Sequence, residues 1–257
     1  MIKLKAAEDI KIMKEGGEIL AKILRRLSQE VKPGITTNHL EKLACELISS
    51  YKVKSSFLGF DGYPAVLCTS INDEIVHAVP SDRVLKEGDL LKIDMGVLHK
   101  DFHTDSAITV LVGQKDKVIH TTPLNGVSPQ VLISVTKEAL NIGISKAKAG
   151  NTVGDIGSAI QKYVEQNGLN VIRDLVGHGI GKELHEPPQV LNYGKAGQGE
   201  KLIPGMVIAI EPMVVTGKWG IKNGKDGYAF VTKDGGLAAH FEHTVAITDV
   251  GPLILTK

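Results

Sequence analysis

"LIPGMVIAIE" (202–211) is a short apolar run that ends on an acid, and it has a near twin upstream, "LKEGDLLKID" (85–94). The two align at an offset of 117, which sets Glu211 on Asp94. A second pair follows in the same order. "HTDSAITV" (103–110) aligns with "HFEHTVAI" (240–247) at an offset of 137, which sets Glu242 on Asp105 and leaves about twenty additional residues ahead of this strand in the later half. The echo extends to helices. Lys32, Gly34, Thr36 and Leu40 match Lys148, Gly150, Thr152 and Ile156 at an offset of 116. Three matches in one order predict a duplicated helix–helix–strands unit, with halves of about 1–115 and 116–257.

The helices are read from spacing. Ile10, Met13, Leu20, Leu24 and Leu27, with Gly17 completing the stripe, recur in steps of three and four, the mark of an amphipathic helix. "KPGITTNHL" punctuates the chain, Thr36 or Thr37 is the expected N-cap, and Leu40, Leu43, Ala44, Leu47 and Ile48 share the next apolar face. The later half repeats this with a helix from about Ser128 to Lys148, then "KAGNTVGDI", then Ile156, Ala159, Ile160, Tyr163 and Val164 on one face.

The duplication has a chemical consequence. In each half one acid ends an apolar strand and another precedes one. Such carboxylates are partly buried, and an ionised carboxylate out of water is costly unless it is paired or bound to metal. Halves that face each other across a pseudo-twofold bring four carboxylates together, and like charges at that range cannot all stay ionised unaided. No equally placed set of arginines is visible, so divalent metal is the economical solution. Four carboxylates and one imidazole suit two ions better than one, with bridging carboxylates and ions ~3.5–4 Å apart around a hydroxide. Oxygen-rich ligation with one nitrogen admits Mn, Fe(II), Co or Zn without choosing among them.

The nitrogen comes from "GHGIGKELHEPPQV" (177–190), where His178 and His185 stand seven positions apart among glycines. Donors on one ion lie within ~3–4 Å of each other. Seven residues span ~23 Å as a strand and ~10 Å as a helix. Unless the chain folds back, the two histidines do different jobs around one site. Glycine admits close approach, and Pro187 and Pro188 stop a helix or central strand. The H-E-x-x-H and P-loop patterns are absent, and the dinucleotide pattern fails because Lys182 stands where its third glycine belongs.

Bulk properties exclude other classes. The 257 residues are enough for a sizeable core. Hydrophobic content of 42% and charged content of 23% are those of a soluble globular chain. A net charge of +1 leaves no footprint for nucleic acid or an anionic membrane. Cys45 and Cys68 form no disulfide framework and suit a reducing cytosol. No run approaches a membrane span, and "MIKLKAAEDIKIMKEGG" lacks the apolar core of a signal peptide.

With these residues in view, the sequence resembles the type I methionine aminopeptidases. The motifs that carry the resemblance are "GFDGYP" (59–64), "NDEIVHAVP" (72–80), "KIDMGVLHKDFHTDSA" (92–107), "GHGIGKELHEPP" (177–188), "IEPM" (210–213) and "FEHT" (241–244), in the family's order and spread over about residues 4–255. No zinc-finger-like N-terminal extension and no helical insert of the type II kind is expected. The resemblance implies an α+β pita-bread fold: a curved, mostly antiparallel sheet under two pairs of helices, in one catalytic domain of pseudo-twofold halves.

It also implies roles. Asp94 chelates one ion, Asp105 and Glu242 bridge two, and His178 and Glu211 complete the second. His185 donates a hydrogen bond to the scissile carbonyl, His77 contacts the scissile nitrogen or steadies the tetrahedral intermediate, and Glu211 carries a proton to the leaving amine. Phe57, Phe60, Tyr63, Cys68, Leu184 and Tyr228 line an apolar pocket for a methionine side chain. Phe57, Asp61 and Leu184 depart from common family residues, which affects the pocket's shape and not the reaction. The implied activity is removal of the initiator methionine from nascent chains and peptides with a small second residue, by attack of a metal-bridging hydroxide. The free α-amine coordinates an ion and confines cleavage to one residue from the end. A cytoplasmic monomer with transient ribosome association is the family expectation. Two competing readings are an X-Pro aminopeptidase or prolidase, against which the "GHGIG" loop argues, and a non-catalytic module on the same scaffold, which is expected to have lost ligands.

Overall fold

The computed structural model describes residues 2–113 and 126–257. The expected boundary between halves, near 115/116, lies outside the described residues. In chain order the elements begin with α1 (Ala7–Glu30), α2 (Thr37–Tyr51), β1 (Lys54–Ser55), β2 (Cys68–Ile71), β3 (Glu74–Val76), β4 (Leu90–His99) and β5 (Phe102–Leu111). Then come α3 (Pro129–Lys146), α4 (Val153–Gln166), β6 (Asn170–Val171), β7 (Gly177–Gly179) and β8 (Glu186–Val190). The chain closes with β9 (Val207–Ile210), β10 (Met213–Val215), β11 (Ile221–Asn223), β12 (Phe230–Thr232), β13 (Ala238–His240), β14 (His243–Thr248) and β15 (Gly251–Ile254).

The helices form for the reasons their spacing gives. Thr36 caps α2 by accepting the His39 amide at 3.2 Å, and Thr152 caps α4 in a reciprocal box with Asp155. Of the expected faces, Met13, Leu20, Leu24, Leu27, Leu40, Ala44, Ile156, Ile160 and Val164 are fully buried. Leu43, Leu47, Ile48 and Tyr163 pack at the margins of the cores. A Cβ on Gly17 would meet the Leu255 carbonyl oxygen at 2.3 Å, so the C-terminal segment crosses α1 in a contact that only glycine permits.

Every strand pairing among the described residues is antiparallel. The earlier half centres on the long β4–β5 hairpin, flanked by β2 and β1. The later half centres on a sheet in the order β15-β14-β9-β7-β8. Helices α1 and α2 cover the first and bury Leu20, Ile23, Leu24 and Leu27 against Leu91, Ile93 and Met95. Helices α3 and α4 cover the second and bury Leu132, Leu140, Ile156 and Ile160 against Ile208, Ile210 and Val245. A third core, with Met13, Phe57, Cys68, Leu184, Val207 and Leu255, joins the halves. This is the pita-bread architecture expected of the resemblance. The two prolines of "HEPP" sit in β8, at the sheet edge, where a strand without those two amides loses no ladder bond.

Candidate metal centre and active site

Register places the acids. On β4, Asp94 stands opposite Ala107, and Gly96 stands opposite Asp105. Side chains alternate faces with period two, so Asp94 and Asp105 are diagonal neighbours on one face. On the other side, β9 and β14 pair up to Ile210–His243, and Glu211 and Glu242 follow directly at the end of that ladder. A threonine clasp brings the two ladders together. Thr244 Oγ1 accepts the Asp105 amide at 2.9 Å and donates to the Asp105 carbonyl at 2.8 Å. The Ser106 hydroxyl donates to the Glu242 carbonyl at 2.7 Å, and the Glu242 amide donates to Ala107 O at 3.0 Å.

His178 enters from β7, one residue before Gly179, which bridges to Ile208 on β9. Its Nδ1 faces the Gly179 carbonyl at 2.9 Å. A carbonyl only accepts, so Nδ1 carries the proton and Nε2 keeps its lone pair free, the tautomer a metal ligand needs. One donor atom each from Asp105, His178 and Glu242 lie within 4.8 Å of one another. Glu211 Oε1 lies 3.6 Å from His178 Nε2, and Asp94 lines the same cavity. All five expected ligands therefore surround one space.

The charge balance of that space fits divalent cations. Asp94, Asp105 and Glu242 are 6%, 4% and 3% exposed. Burial, and after it the neighbouring carboxylates, pushes Asp94, Glu211 and Glu242 well above the usual carboxylate range. Asp105 rises to about 7, mainly through burial, against the pull of the Ser106 amide and the Asp94 carboxyl. Among the described residues no lysine or arginine forms an ion pair with any of the four; Glu211 meets only His178 and His240. Asp94 Oδ1 is buried without a hydrogen-bond partner. Buried carboxylates with no lysine or arginine paired to them, one of them with an unpartnered oxygen, beside one free imidazole nitrogen, are a donor set of the kind that takes up hard or borderline divalent metal.

The other two histidines differ in burial. His185 and His77 are exposed, whereas Asp94, Asp105 and Glu242 are buried and His178 and Glu211 are nearly so. The sequence geometry left open whether His178 and His185 could meet. They do: β7 and β8 pair, the chain folds back, and the rings lie 4.4 Å apart and nearly perpendicular. His185 is held edge-on by Phe60 at 5.0 Å. His77 sits at φ 63°, left-handed backbone that costs a non-glycine residue ~1–2 kcal/mol; that conformation turns its ring into the cavity lining. Loss of water around the ring, and after it the neighbouring His185, shifts His77 below its usual value.

The cavity has a volume of about 200 Å³. Its apolar wall comes from Phe57, Tyr63, Cys68 and Leu184, each less than a tenth exposed. Tyr63 Oη lies 3.1 Å from the carbonyl oxygens of both Leu67 and Ala78. Burial, and after it Asp94, raises the Cys68 thiol well above its usual value, so it is a wall and not a nucleophile. Phe60 and Tyr228, each 37% exposed, line the same cavity at its rim, with Tyr228 Oη donating to Gly62 O at 2.8 Å. Asp61 also lines the mouth.

One residue at the centre is absent from the motif reading. His240 is 1% exposed, and its Nε2 lies 3.7 Å from Glu211 Oε2. A signal was present: His240 precedes Glu242 by two, so in extended chain the two share a face.

A family model described as metallopeptidase family M24 matches residues 11–249. A methionine aminopeptidase of Clostridium acetobutylicum is 46% identical over all of this chain and 99% of its own length. That of Escherichia coli is 38% identical over 99% of this chain and 94% of its own. The crystal structure of a Thermotoga maritima methionine aminopeptidase matches with a TM-score of 0.93 at 42% identity, each chain fully covered. A Pyrococcus horikoshii prolidase matches with a TM-score of 0.76 at 23% identity, over 99% of this chain and 63% of its own, which is a likeness of fold alone.

Proposed function

Because the chain belongs to metallopeptidase family M24 and, within it, to the type I methionine aminopeptidases, we propose that it removes the N-terminal methionine from peptides and nascent chains whose second residue is small. The observation that carries this reading is the one cavity that Asp94, Asp105, His178, Glu211 and Glu242, two exposed histidines and an apolar wall all line, with donor atoms of Asp105, His178 and Glu242 already within 4.8 Å of one another. Asp94, Asp105, His178, Glu211 and Glu242 would hold two divalent ions (Co, Mn, Fe(II) or Zn). When bound, the ions supply a hydroxide nucleophile at neutral pH and polarise the scissile carbonyl.

The chain's own residues do the rest. Phe57, Tyr63, Cys68 and Leu184 take the methionine side chain out of water, with Phe60 and Tyr228 closing over it. That fixes the scissile bond above the carboxylates. His185 donates to the carbonyl oxygen as negative charge develops there, a stabilisation that grows toward the transition state. His77 donates to the scissile nitrogen or steadies the tetrahedral intermediate. Glu211 passes a proton to the departing amine. Each half of the duplicated chain supplies ligands, so the whole works as one catalytic domain.

Location is part of the same reading: a cytoplasmic monomer that visits ribosomes. No described helix is long and apolar enough to cross a membrane, and both cysteines are free thiols. Turnover of Met-Ala and Ala-Pro peptides with added Mn(II) tests the assignment. Met-Ala cleavage that disappears in Asp105→Ala supports it. Faster cleavage of Ala-Pro points to a prolidase, and a protein inactive on both peptides points to a non-catalytic module.

A further inference from the structure

Glu211 lies between two imidazoles. Its Oε1 faces His178 Nε2 at 3.6 Å, and its Oε2 faces His240 Nε2 at 3.7 Å. His178 is accounted for as a ligand. His240 is not: its ring is sealed from solvent, and neither ring nitrogen has a hydrogen-bond partner. A buried polar group left unpaired costs ~1–3 kcal/mol, and the ring has no route to water. Its backbone is pinned on both sides. The His240 amide donates to Thr109 Oγ1 at 2.9 Å, and that hydroxyl donates to the His240 carbonyl at 2.7 Å. These bonds fix the main chain that carries the ring, and the ring itself is confined by burial, at 1% exposure. The Glu211 main chain is held as well, by Asn192 Nδ2 donating to its carbonyl at 3.0 Å. What remains free is rotation of the Glu211 carboxylate.

We propose that His240 is a positioning residue that donates its Nε2–H to Glu211 Oε2, and so fixes which carboxylate oxygen faces the cavity. The separation exceeds a hydrogen bond by about half an ångström, a gap that a turn of the carboxylate closes. With Oε2 held, Oε1 stays toward His178 and the cavity. Without the donor, Glu211 samples both orientations, and ligands whose outer hydrogen bond is lost typically lose ~10–100-fold in metal affinity or activity. The inference rests on the reading of Glu211 given above.

The test compares His240→Leu and His240→Gln in the parent and in Glu211→Gln. Two readouts are used: kcat and KM on a Met-Ala peptide with Mn(II), and calorimetric Mn(II) affinity of the metal-free protein. His240→Leu should lower kcat and Mn(II) affinity at least tenfold with KM within about twofold. His240→Gln, which keeps an N–H donor, should recover most of both. In Glu211→Gln, His240→Leu should change neither further. Parent-like values in His240→Leu overturn the proposal, as does an equal loss in the Glu211→Gln background or a failure of glutamine to rescue. If leucine prevents folding, His240→Asn, too short to reach Glu211, replaces it in the same comparison. If the parent cleaves no peptide, the aminopeptidase reading fails, and the calorimetric comparison still decides the role of His240.

Discussion

Lys5 Nζ lies 2.7 Å from Glu186 Oε2, with both side chains almost wholly out of water. Glu186 directly follows His185, and its Oε1 accepts the Glu183 amide at 3.3 Å. A Cβ on Gly181 would sit 2.4 Å from Lys5 Cε, so the loop is wrapped tightly around the lysine. The segment ahead of α1 therefore anchors the loop that carries His185. Removing one partner of a buried pair leaves the other charge uncompensated. Lys5→Met should lose ~3–5 kcal/mol in urea unfolding, and Lys5→Met with Glu186→Leu should recover much of it. Burial alone would raise the Glu186 carboxyl, but Lys5 and the Glu183 amide outweigh it and hold the group below its usual 4.5. The pair's contribution is thus present above about pH 4.5 and is lost as pH falls through the lowered value. A Lys5→Met loss under 1 kcal/mol, or one independent of pH, contradicts this account.

Metal and pH should act together on stability. Asp105 is raised from 3.8 to about 7, and Asp94, Glu211 and Glu242 rise well above their ordinary values. A raised carboxyl favours the folded state while it stays protonated, and that advantage drains as pH climbs from the unfolded toward the folded pKa. Chelator-treated protein should therefore lose Tm between about pH 4 and pH 7. Mn(II) should restore it, by an increment that grows with pH. An increment that stays constant from pH 5 to pH 8 would mean that the carboxylates are not the ligands.

The two exposed histidines should act on chemistry more than on binding. His185→Ala should lower kcat ~10²–10³-fold, the scale for one lost donor to a developing oxyanion, with KM changed little. His77→Ala should follow the same pattern more weakly. Neither should alter Mn(II) stoichiometry. A defect confined to KM would assign these rings to substrate binding alone.

Leu184 and Phe57 form the buried wall of the apolar cavity. Leu184→Ala should lower kcat/KM on N-terminal methionine by roughly 5–30-fold, about 1–2 kcal/mol of lost apolar contact. It should raise the relative acceptance of N-terminal phenylalanine. An unchanged methionine-to-phenylalanine ratio would move the methionine pocket elsewhere.

Much of this was legible before any fold was known, because the features concerned are local or repeated. Thr36 and Thr152 sit in short capping patterns, and the pairing of Asp94 with Glu211 and of Asp105 with Glu242 is a matter of alignment. What stayed hidden depends on long-range geometry. The Thr244–Asp105 clasp joins residues 139 positions apart, and no periodicity encodes it. The 4.4 Å approach of His178 to His185 required the fold-back of β7 onto β8, which spacing could only leave open. Phe60 and Tyr228 line the cavity, but residue type alone does not tell that their 37% exposure sets them at its rim. His240 was visible only as the first residue of an aligned strand, because its importance comes from an oxygen that another strand delivers.

The central claim is that Asp94, Asp105, His178, Glu211 and Glu242 jointly hold two divalent cations. The most direct measurement is anomalous scattering at the manganese edge from crystals grown with Mn(II). Two peaks within the cavity, each bonded to oxygens from both halves of the chain and one also to His178 Nε2, are the expected result. Peaks that lie outside these five side chains, or no peak among them at saturating Mn(II), would contradict it.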